Sequence, residues 1–286
     1  MSTEMRQSTC LGLSGSGFHH LHYTEWGEQD NPEVIFCLHG LTRNGRDFDY
    51  LARRLASRFR VICPDAVGRG LSDWLNDKSA YQYPQYLADM AVLIARSSAS
   101  KIDIIGTSMG GLIGMMLASM PKNPVRRLIL NDIGAFIPRA GLLRIGEYVG
   151  RETTFADLDK VERYLREVSA GFGPLDDEQW QHLAVHGTRR VNPDETDSSY
   201  VLLYDPQIRQ AFDGDIDDVD LWPVWSMVHQ DVLILRGADS DILSHDVATS
   251  MLERNARTDL VEFQGIGHAP MLMEDGQINT IDEWLG

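Results

Sequence analysis

Six short, largely apolar runs constrain this chain more than any other feature: VIFCL at 34–38, RVIC at 60–63, IDII at 102–105, RLIL at 127–130, VLIL at 232–235 and LVEF at 260–263. Most are apolar at successive positions, as suits a strand covered on both faces, whereas a half-solvated strand alternates. The stretches between them carry helical periodicity. FDYLARRL at 48–55 puts Phe48, Leu51 and Leu55 on one face. YLADMAVLIA at 86–95, LIGMMLA at 112–118 and the final INTIDEWL at 278–285 also read as helices. The alternation predicts an α/β fold, a mostly parallel central sheet with right-handed crossovers and flanking helices. LHYTEW at 21–26 alternates with period two and reads as an antiparallel edge strand.

One segment breaks this rhythm. Residues 133–228 hold no clear buried strand, but they hold helical patterns at 155–165 and 177–185 and many aromatics, among them Phe136, Trp180, Trp222 and Trp225. The strand-bearing pattern resumes at Val232. The expected organisation is a core of residues 1–132 and 229–286, with 133–228 inserted as a helical cap after the sixth strand.

Composition narrows the partners. The formal net charge of −16 repels nucleic acid and anionic lipid, so neither is an expected partner. No apolar run approaches the roughly 18–20 residues that span a bilayer, and MSTEMRQSTC lacks the apolar stretch of a secretory signal. A cytoplasmic, non-membrane protein is expected, with no signal choosing between monomer and dimer. Cys10, Cys37 and Cys63 are widely spaced, and the last two fall in strand-like runs. They read as small core residues, without a disulfide or metal. No phosphate-binding or dinucleotide fingerprint occurs, and the acidic run 213–220 lacks the Gly and Glu of a calcium loop, so no cofactor is expected.

The chemistry gathers around Gly106-Thr107-Ser108-Met109-Gly110, a G-x-S-x-G set directly after a strand and before a helix. In that context a sharp turn exposes the serine hydroxyl, and glycines on both sides keep the backbone from clashing. A helix-capping serine would need neither glycine. A nucleophilic serine needs a base. His268, in the glycine-flanked Gly265–Pro270 loop after the last strand, stands at the same end of the sheet. His39-Gly40-Leu41 follows the strand at 34–38, so the backbone N–H groups of Leu41 and Met109 are candidate oxyanion donors. His39 is expected to be buried and to brace that loop. His19, His20 and His22 read as edge-strand residues, and Arg43 and Arg139 as surface arginines.

Taken with CLHGLTRN, PDAVGRGLS, IGTSMGGL, LNDIG, RGADSDIL and GIGHAPML, these motifs resemble the α/β-hydrolase superfamily in its capped, serine-nucleophile branch. The resemblance spans almost the whole chain and is weakest in the cap. It implies a carboxylate that orients His268, placed after either of two strands. The usual position after Leu235 is occupied by Ser240, flanked by Asp239 and Asp241; the other position holds Asp132, after Leu130. Asp241 is the preferred partner, then Asp132, then Asp239. The resemblance further implies acyl transfer rather than the alkylation that members with Asp at this turn perform. The expected substrate is a small to medium apolar ester or lactone in a pocket near His39, Phe136, Trp222, Trp225 and Met271. Two alternatives stay open: a C–C bond hydrolase of ring-cleavage products, and a low-turnover ligand receptor. For the hydrolase, activity should fall on acidification through the ordinary histidine range, about 6.5.

Overall fold

A computed structural model describes residues 4–151, 153–195 and 199–286. The first six strands are β1 (Arg6–Ser14), β2 (Gly17–Trp26), β3 (Val34–Leu38), β4 (Arg60–Pro64), β5 (Ile102–Thr107) and β6 (Val125–Asn131). Helix α1 (Asp49–Leu55) follows β3, α2 (Tyr83–Ser97) follows β4, and α3 (Met109–Ser119) follows β5. After β6 come β7 (Phe136–Ile137), α4 (Arg139–Gly146), β8 (Thr154–Phe155), α5 (Leu158–Val168), α6 (Asp177–His186), β9 (Thr188–Arg190), β10 (Tyr200–Leu202), β11 (Val219–Asp220) and α7 (Trp222–Trp225). The chain then returns to the main sheet with β12 (Asp231–Gly237), α8 (His245–Arg254), β13 (Thr258–Phe263) and α9 (Asp275–Leu285).

The main sheet has eight strands in the order β1-β2-β4-β3-β5-β6-β12-β13. From β4 to β13 every pairing is parallel, while β1–β2 and β2–β4 are antiparallel. The continuous apolar runs have the reason expected for them. In β3, Val34, Phe36 and Leu38 pack into the larger core, with α2 and α3 residues such as Met90 and Leu112; Ile35 and Cys37 pack on the other face with Leu51 and Leu55 of α1 and Ile281 of α9.

The sheet departs from expectation at its antiparallel edge. LHYTEW is the second strand rather than the edge; β1 covers it, with Arg6 opposite Glu25 and Ser14 opposite Gly17. Residues on β1 alternate between half-buried and exposed, and their mixed polarity gave no apolar run to read. The three histidines of β2 each meet a carboxylate: His19 Nε2 lies 2.9 Å from Asp89, His20 Nδ1 3.0 Å from Asp73 and His22 Nδ1 2.8 Å from Asp65.

Between β6 and β12, helices predominate, accompanied by a three-stranded sheet, β8-β10-β9, and the β7–β11 pair. These strands have only two or three residues, too short to leave a period-two signature. α5 and α6 form a separate small core in which Phe155, Leu165, Trp180 and Leu183 meet Met271 and Met273 from the loop after β13. α7 behaves differently. Trp225 is buried in the main core and its indole N–H donates to the Met251 carbonyl at 3.3 Å.

Candidate active site

The turn between β5 and α3 holds Ser108 at φ 52° and ψ −114°, in the positive-φ half of backbone space that non-glycine residues avoid. Such strain persists only when the surroundings enforce it. Here a β-carbon on Gly106 would lie 2.4 Å from the Gly110 carbonyl oxygen, and one on Gly110 would lie 2.0 Å from that of Leu38. Strand, turn and helix therefore approach too closely for side chains at either glycine. The Ser108 side chain makes no capping hydrogen bond to α3. Its Oγ instead lies 2.9 Å from His268 Nε2.

His268 Nδ1 lies 2.7 Å from Asp132 Oδ2. Asp132 directly follows β6, is fully buried and has φ 56°. Its Oδ1 accepts the Gly237 N–H at 2.8 Å, and its Oδ2 accepts the Ser240 hydroxyl at 2.5 Å. These donors stabilise the charged carboxylate and aim it at the imidazole.

Asp241, the preferred acid from the sequence, is corrected by this geometry. Its carboxylate binds Arg144 of α4 through both oxygens and its side chain is 44% exposed. Burial works to raise the Asp241 pKa, but the Arg144 hydrogen bonds and charge outweigh it and hold the carboxyl below its ordinary range. Asp239 is exposed. Ser240, at the position where the family resemblance implied the acid, instead donates to an acid that sits one strand away, at Asp132.

Beside Ser108, the loop after β3 is pinned by two side chains. His39 accepts the Ala66 N–H at Nε2 (2.9 Å), which leaves its Nδ1–H to donate to the Gly40 carbonyl at 2.7 Å. Burial lowers the His39 pKa, so the ring is neutral. Because the peptide is planar and trans, holding the Gly40 C=O on one side turns the Leu41 N–H to the other. Arg69 Nε donates to the Leu41 carbonyl at 2.9 Å and fixes the next peptide. Met109 opens α3, where N–H groups have no intrahelical acceptor. The Ser108 N–H is spent on the Asn131 carbonyl at 3.0 Å.

Two cavities reach Ser108. One, about 90 Å³, is lined by His39, Leu41, Tyr148, Tyr164, His268 and Met271, among others. The second, about 260 Å³, is lined by Leu41, Arg69, Tyr83, Met109, Ile137 and Phe212, among others. Of the residues expected in the pocket, Phe136, Trp222 and Trp225 line neither. Phe136 is in the β7–β11 ribbon, Trp222 stacks under Arg254 at 4.0 Å, and Trp225 is in the core, so their aromatic surface packs the protein. The residues that replace them, Tyr148, Tyr164 and Phe172, lie on or beside α4 and α5. Arg43 closes on Asp47 with two hydrogen bonds, and Arg139 Nε donates to the Ile216 carbonyl.

Among the described residues one group has a metal-like donor set, Asp49, His182 and His186. The Arg46 guanidinium already occupies it, with Nε 2.8 Å from Asp49 Oδ2 and Nη1 3.2 Å from His186 Nδ1. We read it as an ion-pair junction between α1 and α6. The cysteines are free, and no described helix is long and apolar enough to cross a membrane.

The sequence profile of the alpha/beta hydrolase family matches residues 35–278. The chain is 41% identical to the 3-hydroxybutyrate-oligomer hydrolase of Cupriavidus necator, over 97% of both chains. A solved structure from Rickettsia typhi superposes with a TM-score of 0.91 at 34% identity, covering 99% of this chain and 98% of the other. An alpha/beta hydrolase from Novosphingobium aromaticivorans superposes with a TM-score of 0.87 at 36% identity, covering 100% and 99%.

Proposed function

The chain belongs to the alpha/beta hydrolase family and is an ester-hydrolysing enzyme, and we propose that it is a serine hydrolase of short hydroxy-acid oligomers such as those of 3-hydroxybutyrate. The observation that carries this reading is the hydrogen-bonded series Ser108–His268–Asp132, whose serine lines two cavities. In the proposed reaction His268 Nε2 takes the Ser108 proton as Oγ attacks the ester carbonyl. Asp132 holds the ring in the productive tautomer and stabilises the imidazolium. The developing oxyanion is met by the N–H groups of Leu41 and Met109, each worth about 10² to 10³ in rate. The alcohol leaves with the proton from His268. Water, activated by the same ring, then cleaves the acyl-enzyme and restores Ser108.

An inserted cap formed by residues 133–228 would supply the substrate contacts, since Tyr148, Tyr164 and Phe172 line the smaller cavity. The similarity to the Cupriavidus necator enzyme over nearly the whole length favours an oligomeric hydroxy acid over other esters. The test is release of monomer from the dimer and trimer of 3-hydroxybutyrate by the purified protein, beside Ser108→Ala. Turnover is expected in the wild type, with a drop of about 10⁶ in kcat for the variant, the loss known for the nucleophile of subtilisin. Unchanged turnover in Ser108→Ala would remove the serine from the reaction.

A further inference from the structure

Two cavities meet at Ser108, and among the described residues only Ser108, Leu41 and Ile145 line both. The smaller, about 90 Å³, takes in His268 and the residues that follow it, Ala269, Pro270 and Met271. None of these four lines the larger, about 260 Å³, whose wall includes Leu112 of α3, Ile133 and Ile137 after β6, Leu142 of α4, and Phe212. Helix α4 spans the boundary. Leu142 lines the larger cavity, Tyr148 in the turn after the helix lines the smaller, and Ile145 between them lines both. Residues three apart share one helix face, so a single stripe serves both cavities.

The reaction needs such a separation. When Oγ adds to an ester carbonyl, the tetrahedral carbon carries the serine oxygen, the oxyanion, the leaving oxygen and the acyl chain. The oxyanion goes to the N–H groups of Leu41 and Met109. The leaving oxygen has to collect its proton from His268 Nε2, which lies 2.9 Å from Ser108 Oγ. It therefore departs on the His268 side, where the smaller cavity is. The acyl chain takes the remaining direction, away from the imidazole. The cavity that touches Ser108 without His268 is the larger one, and its aliphatic wall is stabilised by covering hydrocarbon.

We propose that the larger cavity is the acyl subsite and the smaller the alcohol subsite, with Leu142 and Phe212 limiting acyl length. The proposal rests on the serine-hydrolase reading above and extends it to the two halves of the substrate. At about 30 Å³ for a group the size of water, 260 Å³ holds about eight such groups, which sets the acyl limit at about eight carbons. In a hydroxy-acid oligomer, the half that bears the free carboxylate is esterified through its hydroxyl and is the alcohol half. It lies in the smaller cavity, whose wall carries the hydroxyls of Thr42, Tyr148 and Tyr164. The methyl-branched acyl half lies in the larger one. The acyl–oxygen bond breaks, the alcohol half leaves with the proton from His268, and water then frees the acyl half as a carboxylic acid.

The experiment measures kcat/KM on two ester series. In one, p-nitrophenyl esters run from acetate to decanoate; in the other, butyrate esters run from methyl to hexyl. Wild type should gain up to about fourfold per acyl methylene, as burial of a methylene supplies, and level off near octanoate. Leu142→Trp, which fills the larger cavity, should cut the octanoate-to-butyrate ratio at least about tenfold and leave the hexyl-to-methyl ratio as in wild type. Val168→Trp fills the smaller cavity and should do the converse. Should Leu142→Trp fail to fold, Phe212→Ala decides from the other direction, by moving the plateau beyond octanoate. A Leu142→Trp enzyme that loses long alcohols and keeps long acyl chains overturns the assignment by reversing it. So does one that loses both in proportion, or a wild type with no dependence on acyl length. In those cases the enzyme is still active and the serine-hydrolase reading stands. Inactivity of wild type on every ester sinks that reading and the assignment together.

Discussion

Asp132 illustrates how much one residue's surroundings decide. It is fully buried, it takes a positive φ that aspartate tolerates better than most residues, and it receives three hydrogen bonds, from His268, Gly237 and Ser240. Replacing its carboxylate with an amide keeps the shape but reverses the hydrogen-bond sense toward Nδ1 and favours the wrong imidazole tautomer. Asp132→Asn should lower kcat by about 10⁴, the loss known for the corresponding change in the chymotrypsin-type triad. Asp241→Asn removes only a partly exposed pair with Arg144, so kcat should stay within about threefold of wild type. The two variants, assayed side by side on one ester, test the assignment. Ser240→Ala should fall between them, about tenfold down in kcat, because Asp132 keeps two of its three donors. Ser108, His268 and the Leu41 loop were legible because glycines and strand ends mark them in the sequence. The acid was not, because three aspartates near two strand ends satisfy the same pattern and only the fold selects one.

At the scale of elements, the site joins the ends of β3, β5, β6 and β13, and a turn from the segment between β6 and β12 packs against it. The short 3-10 turn Ala170–Phe172 after α5 lies against the His268 loop, where the Gly267 N–H donates to the Gly171 carbonyl at 2.9 Å. A β-carbon on Gly171 would lie 3.0 Å from His268 N and 3.2 Å from His268 O. Backbone on both sides leaves nothing flexible to give way. Gly171→Ala should therefore push the turn off the loop and misplace the imidazole. We expect kcat to drop about 10- to 100-fold, since small misplacements are that costly, with Tm little changed. An equal loss of Tm and activity would make the contact structural only. This contact had no sequence signature, and neither had the strands around it: β8, β9 and β10 are two or three residues long and owe their conformation to packing. The parallel strands and the long helices were legible because burial on two faces, or on one stripe, writes its own period into the chain.

Over the whole molecule, the contacts between the α5–α6 layer and the sheet domain include a polar junction that responds to pH. The Asn44 amide donates to the His186 carbonyl at 2.8 Å, His182 Nε2–H donates to the Arg46 carbonyl at 2.9 Å, and the Arg46 guanidinium bridges Asp49 and His186 Nδ1. His186 thus accepts from a guanidinium, and a proton on that nitrogen would both break the bond and set two cations together. Burial first, then Arg46 and His182, push its pKa down to about 4, with Asp47 opposing. In the unfolded chain the ring titrates near 6.5. Between these values the unfolded state holds the extra proton, so stability rises with pH through the window and falls as pH drops from about 6.5 toward about 4. Full desolvation would make each unit worth about 1.4 kcal/mol, but this half-buried ring is screened, so about 1–2 kcal/mol should be lost. His186→Gln supplies an amide oxygen that can accept from Arg46 at any pH. Urea unfolding at pH 7.5 and 5.0, which crosses rather more than half of that window, should show the wild type losing about 0.5–1 kcal/mol more than the variant over the same drop. Equal losses would mean that acid weakens the protein elsewhere and that this junction holds the α5–α6 layer by its shape alone.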